Sequence, residues 1–402
     1  MSDSNRILTT HVGSLVRTPE IVEMMIRGTL GEPVDPATYE RTLAEGVRQV
    51  VRRQADVGVD IVDDGEFGKI NWITYICERV RGLERTDDPA MKTGAAGMWP
   101  EQERFGDFYR EYESHESKLW LPPAPSKARY QGLQSTEYRN VLCTGPVSYD
   151  PSAVQRDIRN LKAALQGTRV VDGFLPVVAP ASIEGIHNRH YASAEDFLFA
   201  MADVLGQEYR AIVDAGFIVQ IDDAMLPLHR SIRFRDKSLA EYRRWAEVRI
   251  EALNRALKGI PPERTRYHIC YGSQNAPHTF DMPLADFVDV ILKARVGAYS
   301  IEASNVRHEH EWQVWKDVKL PAGAKLAPGV IGHATNVVEH PELIAQRIAN
   351  FASLVGRENV IASSDCGFSQ GWNSPRVHVQ VQWAKLEALV EGARLASQRL
   401  WR

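Results

Sequence analysis

Asp214-Ala215-Gly216-Phe217-Ile218-Val219-Gln220-Ile221-Asp222 carries the reading of the whole chain. Residues 194–215 are apolar at helical spacing, Gly216 stops that helix, and a β-branched run then ends on a carboxylate. That is a helix-to-strand junction of an α/β unit. Seven more runs of this kind lie along the chain: Ile7 to Ser14, Val59 to Glu66, Gly173 to Ser182, Arg266 to Tyr271, Ala298 to Glu302, Lys325 to Ile331 and Val360 to Asp365. With Phe217 to Asp222 they make eight strands alternating with helices. This pattern predicts an α/β fold, a closed (β/α)8 barrel of the TIM type.

The connecting helices are expected at Glu40 to Ala55, Ala194 to Ala215, Leu239 to Leu257, Pro283 to Ala294 and Pro341 to Val355. Residues 85–138, rich in Pro, Gly, Glu and Trp, are too long for a plain connection after the second strand and read as an insertion over the barrel mouth. Val141 to Pro146 and a helix from Ala153 to Leu165 close that excursion and add no ninth barrel strand. The expected organisation is one unit, 1–402.

The chain has 402 residues, 44% hydrophobic and 25% charged, with a net charge of −4. These values exclude disordered and fibrous classes and give no basic field for nucleic acid or anionic membranes. No apolar run approaches the roughly 18 residues of a membrane span. Met1-Ser2-Asp3-Ser4-Asn5-Arg6 lacks the pattern of a signal peptide. A cytoplasmic protein with small-molecule partners is expected, and a homo-oligomer is compatible with everything in the sequence. Four scattered cysteines argue against a disulfide framework.

Chemistry concentrates at strand ends. In Tyr267-His268-Ile269-Cys270-Tyr271-Gly272 a histidine and a cysteine stand two apart, hence on one face of a strand. Alone the pair also fits a satisfied core histidine and an inert thiol. Two other strand ends add donors: Glu302 in Ser300-Ile301-Glu302-Ala303-Ser304, and Cys366 in Ser363-Ser364-Asp365-Cys366-Gly367-Phe368. In a barrel these ends share the C-terminal rim where active sites are built, and the set suits zinc.

With these residues the chain resembles the cobalamin-independent methionine synthase family, specifically its catalytic barrel. The resemblance runs through Val12-Gly13-Ser14, Asp64-Gly65-Glu66, Gln220-Ile221-Asp222-Asp223, His268-Ile269-Cys270, Ser300 to Ser304, Pro328-Gly329-Val330 and Asp365-Cys366-Gly367, in family order. It implies a zinc-dependent S-methyl or alkyltransferase in which His268, Cys270, Glu302 and Cys366 bind Zn2+ and the substrate sulfur joins them as thiolate. Glu302, the hardest donor, is the one expected to yield a position. The resemblance further implies that Ser14 and its backbone face the carboxylate of an amino-acid thiol such as homocysteine, and that Glu66 and Asp222 face its ammonium. His333 would protonate the leaving group. A turn at Gly13-Ser14, a Glu66 to Lys69 pair and a helix-capping Asp222 are the purely structural alternatives.

The chain departs from the family where folate-using members carry a pterin-stacking tryptophan. Ala179-Pro180-Ala181-Ser182-Ile183-Glu184-Gly185-Ile186-His187 has none, and Ala224 replaces a proline after the paired acids. Methyltetrahydrofolate is therefore not the expected donor. Epoxide opening by a zinc thiolate, as in the short epoxyalkane:coenzyme M transferases, is the alternative function. Metal-free porphyrinogen decarboxylases lack a His-x-Cys pair, and a zinc store would keep a closed site. Trp72, Trp312, Trp315 and Trp372 read as packing under loops, Arg104, Arg110, Lys118, Lys127 and Arg129 as a solvated loop face, and Cys77 and Cys143 as plain thiols.

Overall fold

In the computed structural model eight parallel strands stand in the order β1, β2, β5, β7, β8, β9, β10, β11: Leu8–Thr9, Ile61–Val62, Asp172–Val178, Ile218–Asp223, Thr265–Ile269, Ala298–Ile301, Lys325–Ile331 and Ile361–Ser364. Seven neighbouring pairs form parallel ladders, and the Asp60 N–H donates to the Thr9 carbonyl across the remaining seam. All eight expected runs are barrel strands. The structure describes residues 5–86, 100–120, 122–125, 141–183 and 185–402.

The other three strands, β3 (Val80–Arg85), β4 (Val141–Tyr149) and β6 (His187–Asn188), form a separate small sheet, so residues 141–146 add no barrel strand. Much of the expected insertion, with Lys127 and Arg129, lies outside the described residues, as does the Lys118 side chain. Its helices Pro100–Arg104 and Gly106–Leu119 meet the loop after β8. There Glu101 accepts from the Thr279 N–H, and the Tyr112 hydroxyl accepts from the Asn275 N–H at 2.8 Å.

Local chemistry explains where helices begin. Asp35 accepts from the Thr38 N–H at 2.8 Å and Pro36 supplies a fixed φ, so the second helix runs Pro36–Val57, starting a turn before Glu40. The helix expected over Pro283 to Ala294 is two short turns, 284–286 and 288–291, because Phe287 leaves the helical region with φ −146°. The helices Pro19–Thr29, Met225–Ile232 and Val379–Leu400 complete the shell.

Inside the barrel one apolar layer comprises Leu8, Ile61, Phe174, Ile218, Ala327 and Ile361. Above it the inward positions turn polar. Arg266 lies 4.2 Å over the Phe174 ring and donates to Thr10 Oγ1 and the His11 carbonyl. Two residues further along β8 is His268 and two beyond that Cys270, so period-2 geometry carries one face of a strand from core to rim.

Candidate active site

The ends of β8 and β11 bring His268, Cys270 and Cys366 together, with one donor atom from each lying within 4.8 Å of the other two. The two Sγ atoms are 3.3 Å apart and both thiols are free. Register explains the histidine: His268 is paired with Ser300 on β9, whose Oγ lies 3.2 Å from Nδ1. That leaves buried Nε2 without a hydrogen-bond partner. Burial pushes the His268 pKa down to about 3, so the ring is neutral, the form that ligates. A converging imidazole nitrogen and two thiols, buried and unpaired by disulfide, fit a soft or borderline cation such as Zn2+.

Glu302 is buried beside this trio, but its carboxylate is otherwise engaged. Oε1 accepts from the Tyr271 N–H at 2.8 Å and Oε2 faces the Asn305 amide at 3.4 Å. Burial and the charge of Asp365 push its pKa up to about 7. Asp365, which the sequence marked only as part of a motif, is a structural anchor: Oδ1 accepts from the Ala303 and Ser304 N–H groups and Oδ2 from the Ser304 hydroxyl. It locks the β9 loop that carries Glu302.

Ser14, Glu66 and Asp222 also reach the rim. Ser14 sits where the loops after β1, β2 and β11 meet: its carbonyl accepts from the Phe368 N–H, and the Leu15 N–H donates to Gly65. A Cβ on Gly367 would stand 2.0 Å from Ser14 Oγ, so that close approach requires glycine next to Cys366. Glu66 is held at φ 58°, a left-handed conformation uncommon outside glycine and found at constrained sites. Its Oε1 is 3.8 Å from Lys69 Nζ, while Oε2 is buried with no partner. Asp222, paired in register with His268, accepts from Gln220 Nε2 at 2.8 Å. Burial and the charge of Glu66 hold it well above the usual carboxylate range. Lys69 and Arg266 temper that rise, so the two acids already face cationic side chains.

His333 is buried after β10, next to the Ser273 backbone. Burial and the nearby Arg376 guanidinium push its pKa down to about 3. Apolar residues line the thiol pair: Val12, Ala224 and Leu228, with Trp72, Met225 and Ile232 packed beside them. Trp315 and Trp372 are buried, and Trp312 packs against the core. Cys143 is buried and Cys77 half-buried. Arg110 pairs with Asp107, and Arg104 lies over the Phe105 ring.

A second polar cluster was not legible in the sequence. His308 bonds Glu311 through Nδ1 (2.8 Å) and Asp281 through Nε2 (3.0 Å), and stacks on Tyr271 at 3.8 Å. His278 bonds Asp281 through Nδ1 (2.7 Å) and the Gln274 carbonyl through Nε2 (2.9 Å). Carboxylates and carbonyls only accept, so both rings are imidazolium. Burial pulls both pKa values down, but the bonds to Asp281, and for His308 to Glu311, outweigh it and raise His278 to about 9 and His308 to about 10. Folded values above the ordinary 6.5 give a contribution that is complete below pH 6.5 and lost as pH rises through 9 to 10. Melting temperature measured from pH 6 to 10.5 should fall more steeply for the wild type than for His308→Gln. Parallel profiles would contradict the imidazolium assignment.

A parallel barrel with sulfur and imidazole donors at its C-terminal rim defines a class, the barrel enzymes that work at their strand ends. Within it the chain belongs to the cobalamin-independent synthase family: the catalytic-domain model matches residues 7–105 and 185–386. It is 23% identical to the methionine synthase of Sulfolobus acidocaldarius over 404 residues, a match spanning 100% of this chain and 95% of that one. The methionine synthase of Saccharolobus solfataricus is 24% identical over 405 residues, 100% of this chain and 98% of the relative. A 5-methyltetrahydropteroyltriglutamate–homocysteine methyltransferase of Thermotoga petrophila is 22% identical over 75% of this chain but only 33% of its own. The fold matches a B12-independent methionine synthase from a Shewanella species with a TM-score of 0.70, at 20% identity over 98% of this chain and 99% of that one. Among the described residues no helix is long and apolar enough to cross a membrane.

Proposed function

We propose that this chain transfers a methyl or similar alkyl group to the sulfur of a small amino-acid thiol, homocysteine or a close analogue, with zinc held by His268, Cys270 and Cys366. Glu302 is the exchangeable fourth donor, parked on the Tyr271 N–H when not ligating. The observation that carries this reading is the convergence of an orphaned imidazole nitrogen and two free thiols on the rim that also presents Glu66 and Asp222. Family membership and the similarity to methionine synthases support it.

Bound zinc would supply one thing, an acceptor sulfur held as thiolate at neutral pH, where a free thiol with a pKa of about 8.5 is mostly protonated. The protein does the rest. Ser300 orients His268, and Glu66 with Asp222 seats the ammonium by charge complementarity. Ser14 and its neighbouring backbone hold the carboxylate. The apolar lining of Val12, Ala224 and Leu228 excludes water from the line of displacement. His333, neutral because burial pushes its pKa down to about 3, offers a ring N–H hydrogen bond to the departing group, and the proton that finally neutralises that group comes from solvent. The donor is a small alkyl carrier rather than a stacked pterin, since residues 179–183 are a tight turn without an aromatic side chain.

Protein expressed with supplemental zinc and purified without chelators should carry about one metal per chain by elemental analysis. After cobalt substitution, homocysteine should shift the visible spectrum. Near-zero metal with intact activity would overturn the metal centre, and a spectral shift with coenzyme M but not homocysteine would turn the reading to epoxide opening.

A further inference from the structure

We infer that Arg376 is a positioning residue that tunes the Cys366 sulfur through the side chain of Gln370. The inference rests on the metal reading above and concerns residues that lie beyond its ligand set.

Gln370 is 7% exposed and follows Cys366 by four residues. Its Oε1 accepts from Arg376 Nε at 3.0 Å, and its Nε2 donates to the Gly367 carbonyl and faces Cys366 Sγ at 3.8 Å. A guanidinium has donors only, so the carboxamide must turn its oxygen toward Arg376. The NH2 group is thereby left pointing at the sulfur. Arg376 also donates through Nε and Nη2 to the Ser273 hydroxyl, at 3.2 and 2.9 Å. Ser273 follows Cys270 by three residues, so one guanidinium ties together the two loops that carry the thiols.

The two sulfurs are therefore served in different ways. Cys270 Sγ accepts from the backbone N–H of Gly272 at 3.3 Å, a donor that no side-chain change removes. Cys366 receives its N–H from a side chain whose carboxamide is oriented from both ends, by Arg376 on its oxygen and by the Gly367 carbonyl on its nitrogen. An N–H directed at a ligating thiolate withdraws charge from it and fixes its direction, and such outer partners typically govern metal affinity by about 10- to 100-fold.

The test uses the full-length cobalt-substituted and zinc-loaded protein, with two readouts that do not depend on turnover: the thiolate-to-cobalt charge-transfer band, and zinc affinity from chelator competition. Arg376→Met, Gln370→Leu and the double variant should each weaken zinc binding by about tenfold or more and shift the band. In a Ser273→Ala background, which removes the guanidinium's separate tie to the Cys270 loop, the double variant should be no worse than Gln370→Leu alone, because both changes then cut one relay. Gln370→Glu, which keeps an acceptor for Arg376 but removes the donor, should shift the band like Gln370→Leu. Losses that add in the double variant of the Ser273→Ala background, or an Arg376→Met protein with wild-type affinity and band, would overturn the relay. Where Arg376→Met does not fold, an unshifted band in Gln370→Leu overturns it equally. A wild-type chain that takes up no cobalt defeats the metal reading itself, an outcome distinct from a loaded wild type with unresponsive variants.

Discussion

Cys366→Ser and His268→Ala each abolish alkyl transfer while leaving the barrel folded. The expected loss is about a thousandfold or more, since a metal centre supplies several kcal/mol of activation and each decade of rate corresponds to about 1.4 kcal/mol. The fold survives because the stabilising interior layer is Leu8, Ile61, Phe174, Ile218, Ala327 and Ile361, below the rim, and neither ligand belongs to it. Each substitution removes one of three converging donors, so bound zinc falls in parallel with rate. Glu302→Gln is milder for metal retention, because its carboxylate is engaged with Tyr271 and Asn305 rather than with the trio. Turnover, metal content and thermal melting of the purified variants check this. Wild-type rates at wild-type substrate affinity in both ligand variants would refute the site.

Asp222→Asn and Glu66→Gln cost the enzyme its preference for amino-acid thiols. Each acid is expected to contribute about 1.5 to 3 kcal/mol through a charge-assisted bond to the ammonium, equivalent to roughly 10- to 100-fold in apparent affinity for homocysteine. The sign follows from the electrostatics of the two acids. Burial and the charge of Glu66 hold Asp222 well above its ordinary range, and an ammonium between the two would reverse that repulsion, so homocysteine uptake is accompanied by proton release near Asp222. Calorimetry in buffers of different ionisation heat reads the total protons released, and the difference between wild type and Asp222→Asn isolates this one, since the thiol's own proton is lost in both. A thiol without an amino group, such as 3-mercaptopropionate, should bind the wild type and Asp222→Asn alike. If Asp222→Asn weakens both thiols equally, the acid holds the loop rather than the substrate.

The architecture was legible because it rests on local periodicity. Eight short β-branched runs each became a barrel strand, and the two-residue spacing of His268 and Cys270 put both side chains on one face, as pleating requires. Helix limits were less legible where capping decides them. Asp35 and Pro36 start a helix before its apolar pattern begins, and Phe287 breaks one whose pattern continues.

The sequence by itself determined the strands, the residue types at their ends and hence the class of chemistry, because hydrophobic period and donor identity are properties of the chain. Only the tertiary structure decided how those ends meet. Cys366 comes within 3.3 Å of a cysteine 96 positions away, and Glu302 turns to the Tyr271 N–H rather than into the ligand trio. Glu66 keeps a buried oxygen without a partner, His308 bridges two carboxylates, and Arg376 spans both thiol loops. All of these contacts are made by loops beyond the strands. Their geometry follows from left-handed turns, close glycine contacts and packing across the barrel mouth, none of which leaves a periodic trace in the sequence.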